Sequence, residues 1–245
     1  MDGPFSGRVA LITGASGGIG QALARRLAAS GAVLALGYGA HGRAAEALAA
    51  EITAAGGTAI TVRADLRRAE APGQLVRAAA EALGPVDVLV SNAGLSRVQP
   101  LEDITAAQFD EMLAVNLRAP FLLAQCAVPA MAERGFGRIL FVSSVAAFTG
   151  GIVGPHYAAS KAGLHGLTHF LASRLAASGI TVNALAPALV AETGMLPGDP
   201  AELRRQVPVG RLGQPSEVAD LAATMLANAY LTNQVISLDG GIHPR

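Results

Sequence analysis

Tyr157 and Lys161 stand four residues apart in a stretch whose composition predicts a helix, so both side chains are expected on one helical face. An ammonium group beside a phenol favours the phenolate and lowers the phenol pKa from about 10 toward neutral pH. A phenol of that kind can act as a general acid or base. The pair therefore predicts proton-transfer chemistry, the alternative being an ordinary contact on a helix surface.

Lys161 is the single lysine among 18 basic residues, and the other 17 are arginines. With three tyrosines in the chain, a lysine placed at random follows one of them at this spacing about once in 80 trials. An ammonium is a compact donor, whereas a guanidinium is a planar fork suited to carboxylates and phosphates. Composition and chemistry together favour a functional pair over a surface contact.

A glycine-rich segment follows the first predicted strand and leads into a predicted helix. Glycines let the backbone turn sharply, and the start of the helix offers free N–H groups and a positive dipole end to a pyrophosphate. The alternative is that the segment binds no ligand and is simply a tight turn between strand and helix. Its place after the first strand favours dinucleotide binding. The candidate contacts are Gly14, Ser16, Gly18, Ile19 and Gly20.

The end of the second predicted strand carries no carboxylate. An Asp or Glu there bonds the adenosine ribose of NAD, but this chain reads Leu-Gly-Tyr-Gly-Ala-His-Gly-Arg from Leu36 to Arg43. A 2′-phosphate meets no repulsion beside Tyr38, and His41 or Arg43 can supply positive charge. We therefore expect NADP(H) rather than NAD(H). Gly17 argues the other way, because a basic residue in its place would help to hold the phosphate.

Further small polar segments lie at the predicted ends of other strands, where open α/β sheets bind ligands. Each one alone is more simply a turn former or a helix cap. Together with the Tyr–Lys pair they predict one cleft at the carboxyl edge of a sheet. These segments are Asp65-Leu66, Ser91-Asn92-Ala93-Gly94 and Ser143-Ser144.

Short apolar segments alternate with helical ones, the pattern of βαβ units around a buried parallel sheet. The predicted strands are Val9–Thr13, Ala32–Leu36, Thr58–Val62, Val86–Ser91, Arg138–Ser143, Ile180–Ala186 and Gln234–Leu238. The predicted helices are Gly20–Ala29, Ala44–Ala54, Gln74–Leu83, Ala106–Arg134, Tyr157–Ala177 and Ser216–Leu226.

At 245 residues with 51% hydrophobic composition, the chain is expected to form one α/β domain over residues 1–245. Its fold class is predicted to be a Rossmann-type doubly wound fold with a seven-stranded parallel sheet. The stretch from Pro187 to Pro215 is rich in proline and glycine, and we expect it to be a substrate loop over the active site. The alternative is a surface loop without a catalytic part.

Charge and cysteine content limit the partners. Acidic and basic residues balance at 18 each without basic clusters, which argues against nucleic acid and anionic membranes. The single cysteine, Cys126, excludes an intramolecular disulfide and fits a reducing compartment. The first residues lack a leader pattern, and no run approaches about 18 apolar residues. We expect a soluble cytoplasmic protein.

The residues assembled above resemble the single-domain branch of the short-chain dehydrogenase/reductase family, from Gly7 to Gly241. Only in combination are these motifs specific. The matching segments are Thr13-Gly-Ala-Ser-Gly-Gly-Ile-Gly20, Asp65-Leu66, Asn92-Ala-Gly94, Asn116 in Val-Asn-Leu, Ser144, Tyr157-x-x-x-Lys161 and Val182-Asn-Ala-Leu-Ala-Pro187.

The resemblance implies that Tyr157 protonates a substrate carbonyl oxygen, that Lys161 lowers its pKa and binds the nicotinamide ribose, and that Ser144 polarises the carbonyl. Asn116 is implied to hold a water in the proton relay. Ser143 is the competing serine, but its alternate position on the strand points it to the other face. Taken together with the residue patterns above, the expected cofactor contacts are Gly14, Ser16, Gly18, Ile19, Gly20, Tyr38, His41, Arg43, Asp65, Leu66, Asn92, Ala93, Gly94, Tyr157, Lys161, Pro187 and Val190.

The resemblance is closest to the 3-oxoacyl-[acyl-carrier-protein] reductase subgroup, through residues 210–218 and 237–241. It implies NADPH-dependent reduction of a 3-oxoacyl thioester, with acyl carrier protein as a partner and a homotetrameric assembly. The chain departs from the subgroup at Gly135 and Ser178, where carrier-dependent members tend to have basic residues, although Arg134 and Arg174 are close by. It also has Ala188 where glycine is usual. A substrate on a small molecule or coenzyme A therefore stays open.

Two other functions fit parts of the sequence. A secondary-alcohol or sugar dehydrogenase of the same family differs only in substrate and cofactor. A non-catalytic dinucleotide sensor needs the glycine turn but not the acid. His165 and His169 have a spacing that can hold a metal, but no third ligand is evident, so we expect no metal site. His156 is expected to shape the pocket.

Overall fold

The computed structural model describes residues 3–196 and 198–243. Seven parallel strands form one sheet in these ranges, in the order β3-β2-β1-β4-β5-β6-β7. This order confirms the predicted doubly wound α/β fold, and every strand ends within two residues of its prediction. The strands are β1 Val9–Thr13, β2 Val33–Tyr38, β3 Thr58–Arg63, β4 Val88–Ser91, β5 Gly137–Val142, β6 Ile180–Pro187 and β7 Val235–Leu238.

Helices cover both faces of the sheet, and each face closes over its own apolar layer. Helices α1, α2 and α9 pack in one layer, and α3, α5 and α7 pack in the other. The helices are α1 Gly18–Ala28, α2 Gly42–Ala54, α3 Ala71–Leu83, α4 Ala106–Leu113, α5 Ala119–Glu133, α6 Ala146–Thr149, α7 Pro155–Leu175, α8 Pro200–Leu203 and α9 Pro215–Ala227. Short 3₁₀ turns lie at Leu101–Asp103, Ala176–Ser178 and Arg204–Gln206.

The single helix predicted for 106–134 is interrupted. Its centre, Ala114–Arg118, is a π-helical turn between α4 and α5. One extra residue per turn makes the backbone bulge, a feature often found at functional sites. The bulge contains Asn116, which the sequence had marked as a candidate site residue.

The helical stretch Ala106–Glu133 is 28 residues long and reaches a mean hydropathy of 1.3, so by length and composition alone it could cross a membrane. Half of that apolar window is buried inside the fold. Within it, α5 packs against α3, β4 and β5. Those contacts make it a core helix of the α/β layers.

The predicted loop at 187–215 is partly structured. Its base is closed by a bridge between Val190 and Gly213, and the Ala191 N–H donates to the Gly213 carbonyl at 2.9 Å. Helix α8 and the turn Arg204–Gln206 form its middle. Pro197, one of the prolines behind the prediction, lies outside the described residues.

Candidate active site

Thr13 and Asn92 join the carboxyl ends of β1 and β4. The Thr13 hydroxyl oxygen accepts the N–H groups of Asn92 at 3.1 Å and Ala93 at 3.0 Å. The Asn92 amide donates to the carbonyls of Thr13 at 3.0 Å and Gly14 at 3.1 Å. Asn92 therefore fixes the glycine-rich turn from the side. The role of Thr13 was missed from sequence, where its only signal was a hydroxyl at the last position of the strand.

Close packing explains the glycines at the start of α1. Gly14 has a φ of 64°, and a Cβ there would lie 2.8 Å from the Ala93 Cα. A Cβ on Gly20 would clash with the Gly14 carbonyl oxygen, and one on Gly18 would clash with the carbonyl oxygen of Glu192 in the 187–215 loop. These glycines leave the helix N-terminus approachable by backbone or by a phosphate group.

A cavity of about 450 Å³ opens beside this turn. Two arginines, Arg63 and Arg67, line it although the sequence did not suggest them, whereas Arg43 is not part of its wall. Gly20 packs beneath the turn instead of lining it. The predicted cofactor residues in its wall are Gly14, Ser16, Tyr38, His41, Asp65, Leu66, Ala93 and Gly94.

A second cavity of about 280 Å³ meets the first at Gly94. Lys161 is the one charged residue in its wall among the described residues, and most of the remaining lining is apolar. Leu189, Met195 and Leu196 reach it from the 187–215 loop, and Ile242 from the segment after β7. The predicted site residues in its wall are Ile19, Asn92, Gly94, Ser144, Tyr157, Lys161, Pro187 and Val190.

The Lys161 side chain is buried between α7 and β5. Its Nζ donates a hydrogen bond of 2.8 Å to the Val142 carbonyl oxygen and lies 5.8 Å from the centre of the Tyr157 ring. Burial lowers the pKa of Lys161 to about 8, because the ammonium loses hydration. The group stays largely charged at neutral pH.

Tyr157 does not show the lowered pKa that the sequence predicted. Burial raises the pKa of its phenol, and a hydrogen bond with Ser144 opposes this effect. The Lys161 ammonium donates to the Val142 carbonyl. Sharing a helical face with Tyr157 is therefore not enough to lower the phenol's pKa. Desolvation is the larger influence. Tyr157 is therefore a protonated phenol at neutral pH in this structure.

The two adjacent serines follow the end of β5 and both line the second cavity, but their hydroxyls have different partners. Ser144 faces the cavity and bonds with Tyr157. The Ser143 hydroxyl donates to the Lys161 carbonyl at 3.1 Å and lies 2.9 Å from Nε2 of His165. Ser143 thus joins β5 to α7, while Ser144 faces the Tyr157 phenol.

The π turn brings Asn116 behind the cleft. The Asn116 Oδ1 accepts the Leu95 N–H at 2.7 Å, and its Nδ2 donates to the Leu95 carbonyl at 3.0 Å and the Ser160 hydroxyl at 3.1 Å. The side chain is fully buried and lies outside the lining of both cavities. A Cβ on Gly94 would lie 3.4 Å from both Asn116 Oδ1 and Lys161 Nζ. Asn116 therefore positions the segment on which the cavities meet, and Ser160 is a partner that the sequence did not reveal.

The histidines have separate surroundings. His156 is fully buried beside Tyr157, and burial together with the charge of Arg97 lowers its pKa. The Nδ1 of His169 lies 2.6 Å from Oδ1 of Asn233, away from His165. No group of three or more His, Cys, Asp or Glu side chains in residues 3–196 and 198–243 could hold a metal ion.

Comparison with known proteins decides the family, since the family model for short chain dehydrogenases matches residues 8–203. The chain belongs to the short-chain dehydrogenase/reductase family. It is therefore a short-chain oxidoreductase that uses a nicotinamide dinucleotide. The glycine turn fits that cofactor, because a cleft lined by Ser16, Gly17 and Gly18 lies at the start of α1, where a pyrophosphate binds.

Relatives with different names resemble the whole chain. A 3-oxoacyl-[acyl-carrier-protein] reductase of Synechocystis sp. is 39% identical over 97% of this chain and 98% of its own. A cis-4-hydroxycyclohexanecarboxylate dehydrogenase of Sinomonas cyclohexanicum is 37% identical over 98% of both chains. A blue fluorescent protein from a metagenomic library, solved in complex with NADPH, is 37% identical with a TM-score of 0.92, over 98% of this chain and 99% of its own.

Proposed function

We propose that this enzyme is an NADP(H)-dependent reductase of carbonyl compounds, with a 3-oxoacyl thioester as its substrate. The observation that carries the proposal is the position of Tyr157, Ser144 and Lys161 on one apolar cavity, which meets the glycine-turn cavity at Gly94. A carbonyl in the apolar cavity faces both the acid and the cofactor. The named activity of the Synechocystis relative supports the thioester.

Tyr157 is the general acid of this mechanism. Its pKa is raised by burial, so the phenol holds its proton at neutral pH and can give it to the carbonyl oxygen during reduction. The Ser144 hydroxyl bonds with Tyr157 and is placed to donate to the same oxygen. When bound at this site, the nicotinamide would supply the hydride.

Lys161 stabilises the phenolate that remains after the proton transfer. Its buried Nζ is held at the Val142 carbonyl, 5.8 Å from the Tyr157 ring centre, and low local polarity strengthens its attraction to a negative phenolate. The same Nζ is close to Gly94 at the junction of the cavities, which places it to bond the nicotinamide ribose. Asn116 holds the backbone of Leu95, and we propose that it acts by positioning this segment instead of by binding the relay water that the resemblance implies.

In this proposal the cofactor would bind along the carboxyl edge of the sheet. The start of α1 at Gly18 would hold the pyrophosphate, Leu66 and Asp65 would contact the adenine, and Asn92 to Gly94 would lie near the ribose. NADP(H) is favoured because β2 ends at Tyr38 without a carboxylate and His41 lines the cavity. The NADPH-bound relative is consistent with this preference.

The substrate cavity favours an uncharged acyl group. Among the described residues of its wall, the one cation available to a substrate carboxylate is Lys161, which the mechanism already uses. The 187–215 loop supplies Met195 and Leu196 and acts as the substrate loop of a single domain. A thioester chain enters this cavity, and its carrier, which we propose to be acyl carrier protein, stays outside.

We also propose a homotetramer in the cytoplasm. Phe121 on α5 and Phe170 on α7 are 40% and 54% exposed, and the nearby Cys126 is also exposed. Apolar side chains on two neighbouring outer helices are suited to contacts between copies of the chain. The lone cysteine agrees with a reducing compartment.

The test is NADPH oxidation by the purified enzyme with 3-oxoacyl thioesters of coenzyme A, of acyl carrier protein and of N-acetylcysteamine, and with simple ketones and sugars. The proposal expects turnover of the thioesters, with the highest kcat/KM for the carrier-linked form. Cofactor binding without turnover of any compound would favour a sensor instead.

A secondary-alcohol dehydrogenase is the second candidate, favoured by the 37% identical Sinomonas dehydrogenase. The same residues run the reaction in reverse, with Tyr157 as base. The raised pKa of Tyr157 makes its deprotonation harder. The cavity wall also has no free cation for the carboxylate of a hydroxy acid among the described residues. Oxidation of neutral cyclic alcohols at a higher kcat/KM than thioester reduction would select this function.

A further inference from the structure

Strand β3 ends at Arg63, which lies beside the end of β2. The parallel register pairs Arg63 with Tyr38, and the Ala64 N–H donates to the Tyr38 carbonyl at 2.9 Å. Arg63 and Tyr38 both line the 450 Å³ cavity. The adenosine ribose of a dinucleotide binds near the end of the second strand. The backbone therefore holds Arg63 next to the place where NADP and NAD differ.

Alternation along β3 directs Arg63 toward α2. Ile60 and Val62 pack in the layer of α3 and α5, whereas Ala59 packs in the layer of α1 and α2. Side chains two residues apart share a face of the sheet, so Arg63 is on the face of Ala59. His41, the residue before α2, lies on that side.

Arg63 is also the cation of this cavity that is free to bind an anion. The neighbouring Arg67 is occupied, since it donates two hydrogen bonds of 2.8 Å to Asp65 and lies 3.6 Å from Glu111. Arg63 is exposed and makes no ion pair or side-chain hydrogen bond within the described part of the chain. An unpaired guanidinium facing a cavity is well suited to bidentate bonds with a phosphate.

We propose that Arg63 binds the 2′-phosphate of NADP(H), assisted by His41 and Ser16. Ser16 and His41 line both the cofactor cavity and the adjoining cleft at the start of α1, so they flank the position that Arg63 approaches from β3. The inference rests on the NADP(H) preference proposed above. It assigns to Arg63 the role that the sequence suggested for Arg43, a residue that does not line the cavity.

The experiment compares Arg63→Gln with Arg43→Gln as the matched control, since both remove one exposed guanidinium. Dissociation constants are measured for NADPH, NADH, 2′-phospho-AMP and AMP. A charge-assisted contact predicts that Arg63→Gln weakens NADPH and 2′-phospho-AMP binding about ten- to a hundredfold. NADH and AMP binding should change less than about twofold, and Arg43→Gln should behave as wild type with all four ligands.

The NADH and AMP measurements show that each variant is folded and keeps its dinucleotide site. Arg63→Gln binding NADPH as tightly as wild type, or Arg43→Gln carrying the loss instead, would overturn the inference while the proposed function stands. A wild-type enzyme that binds NADH more tightly than NADPH would overturn the inference together with the proposed cofactor preference. If the wild-type enzyme reduced no carbonyl compound, the proposed reaction would be wrong, but the binding measurements would still decide the role of Arg63.

Discussion

Lys161 Nζ lies 5.8 Å from the centre of the Tyr157 ring and donates its hydrogen bond to the Val142 carbonyl oxygen. The ammonium is thus held near the phenol by the backbone of β5. Burial raises the pKa of Tyr157 and lowers that of Lys161 to about 8. At neutral pH both groups carry their protons, which is the state that the proposed carbonyl reduction requires.

Replacing each of the two adjacent serines by alanine in turn should distinguish a catalytic role from a packing role. Ser144→Ala removes the hydroxyl that bonds with Tyr157, and loss of one positioned donor lowers kcat by about 10²- to 10³-fold. Ser143→Ala loses the hydroxyl contacts with the Lys161 carbonyl and His165 on α7, so its kcat should stay near that of wild type. Steady-state kinetics and NADPH binding check both. A larger kcat loss in Ser143→Ala would reverse the assignment.

Lys161→Arg should lose most activity although the positive charge is kept. The guanidinium is too large and too planar to sit between the Val142 carbonyl and the Tyr157 ring, and a displacement of about 1 Å at a reacting centre costs about 10²-fold in rate. Single-turnover reduction at saturating NADPH measures the loss. Near-normal turnover would show that the compact ammonium is not needed.

The rate of reduction should fall in alkaline solution. A pKa of about 8 means that Lys161 loses its charge as the pH rises through that value, and the phenolate then loses its stabilising cation. Tyr157 keeps its proton longer because its pKa is raised. We expect kcat/KM to be level below about pH 7 and to fall about tenfold per unit well above about pH 8. A profile level to about pH 10 would contradict this assignment.

Asn92→Ala should weaken the binding of NADPH and of NADH by a similar factor. The substitution leaves the Thr13 and Gly14 carbonyls without their amide donor, at a cost of about 1–3 kcal/mol in the free energy of unfolding. Because the glycine turn is shared, Kd should rise by a similar factor for NADPH and NADH. Chemical denaturation and fluorescence titration measure the two effects. Unchanged binding of both would show that Asn92 does not hold the turn.

The sequence predicted the strands well because each one is a short apolar segment closed by a turn. It could not predict the π turn at Asn116, since Ala-Val-Asn-Leu-Arg fits an α-helix equally well, and the bulge depends on bonds to Leu95 and Ser160. It also named Arg43 and did not point to Arg63, which lines the cofactor cavity. The difference arises from the register of β2 and β3, which joins residues far apart in the chain.

The pKa of Tyr157 illustrates the same limit. Spacing of four residues predicts that Tyr157 and Lys161 share a helical face, and the structure places them there on α7. The direction of the pKa shift depends instead on burial, which raises the pKa of Tyr157, and on the opposing hydrogen bond with Ser144. Both are properties of tertiary packing.

Turnover and NADPH binding of Tyr157→Phe test the general-acid mechanism most directly, with Tyr230→Phe as control because Tyr230 is 98% exposed. Loss of a general acid lowers the rate by about 10²- to 10⁴-fold, so we expect Tyr157→Phe to have almost no carbonyl reduction while its Kd for NADPH stays near wild type. The Tyr230→Phe enzyme should behave as wild type in both measurements. Substantial reduction by Tyr157→Phe at neutral pH would contradict the mechanism.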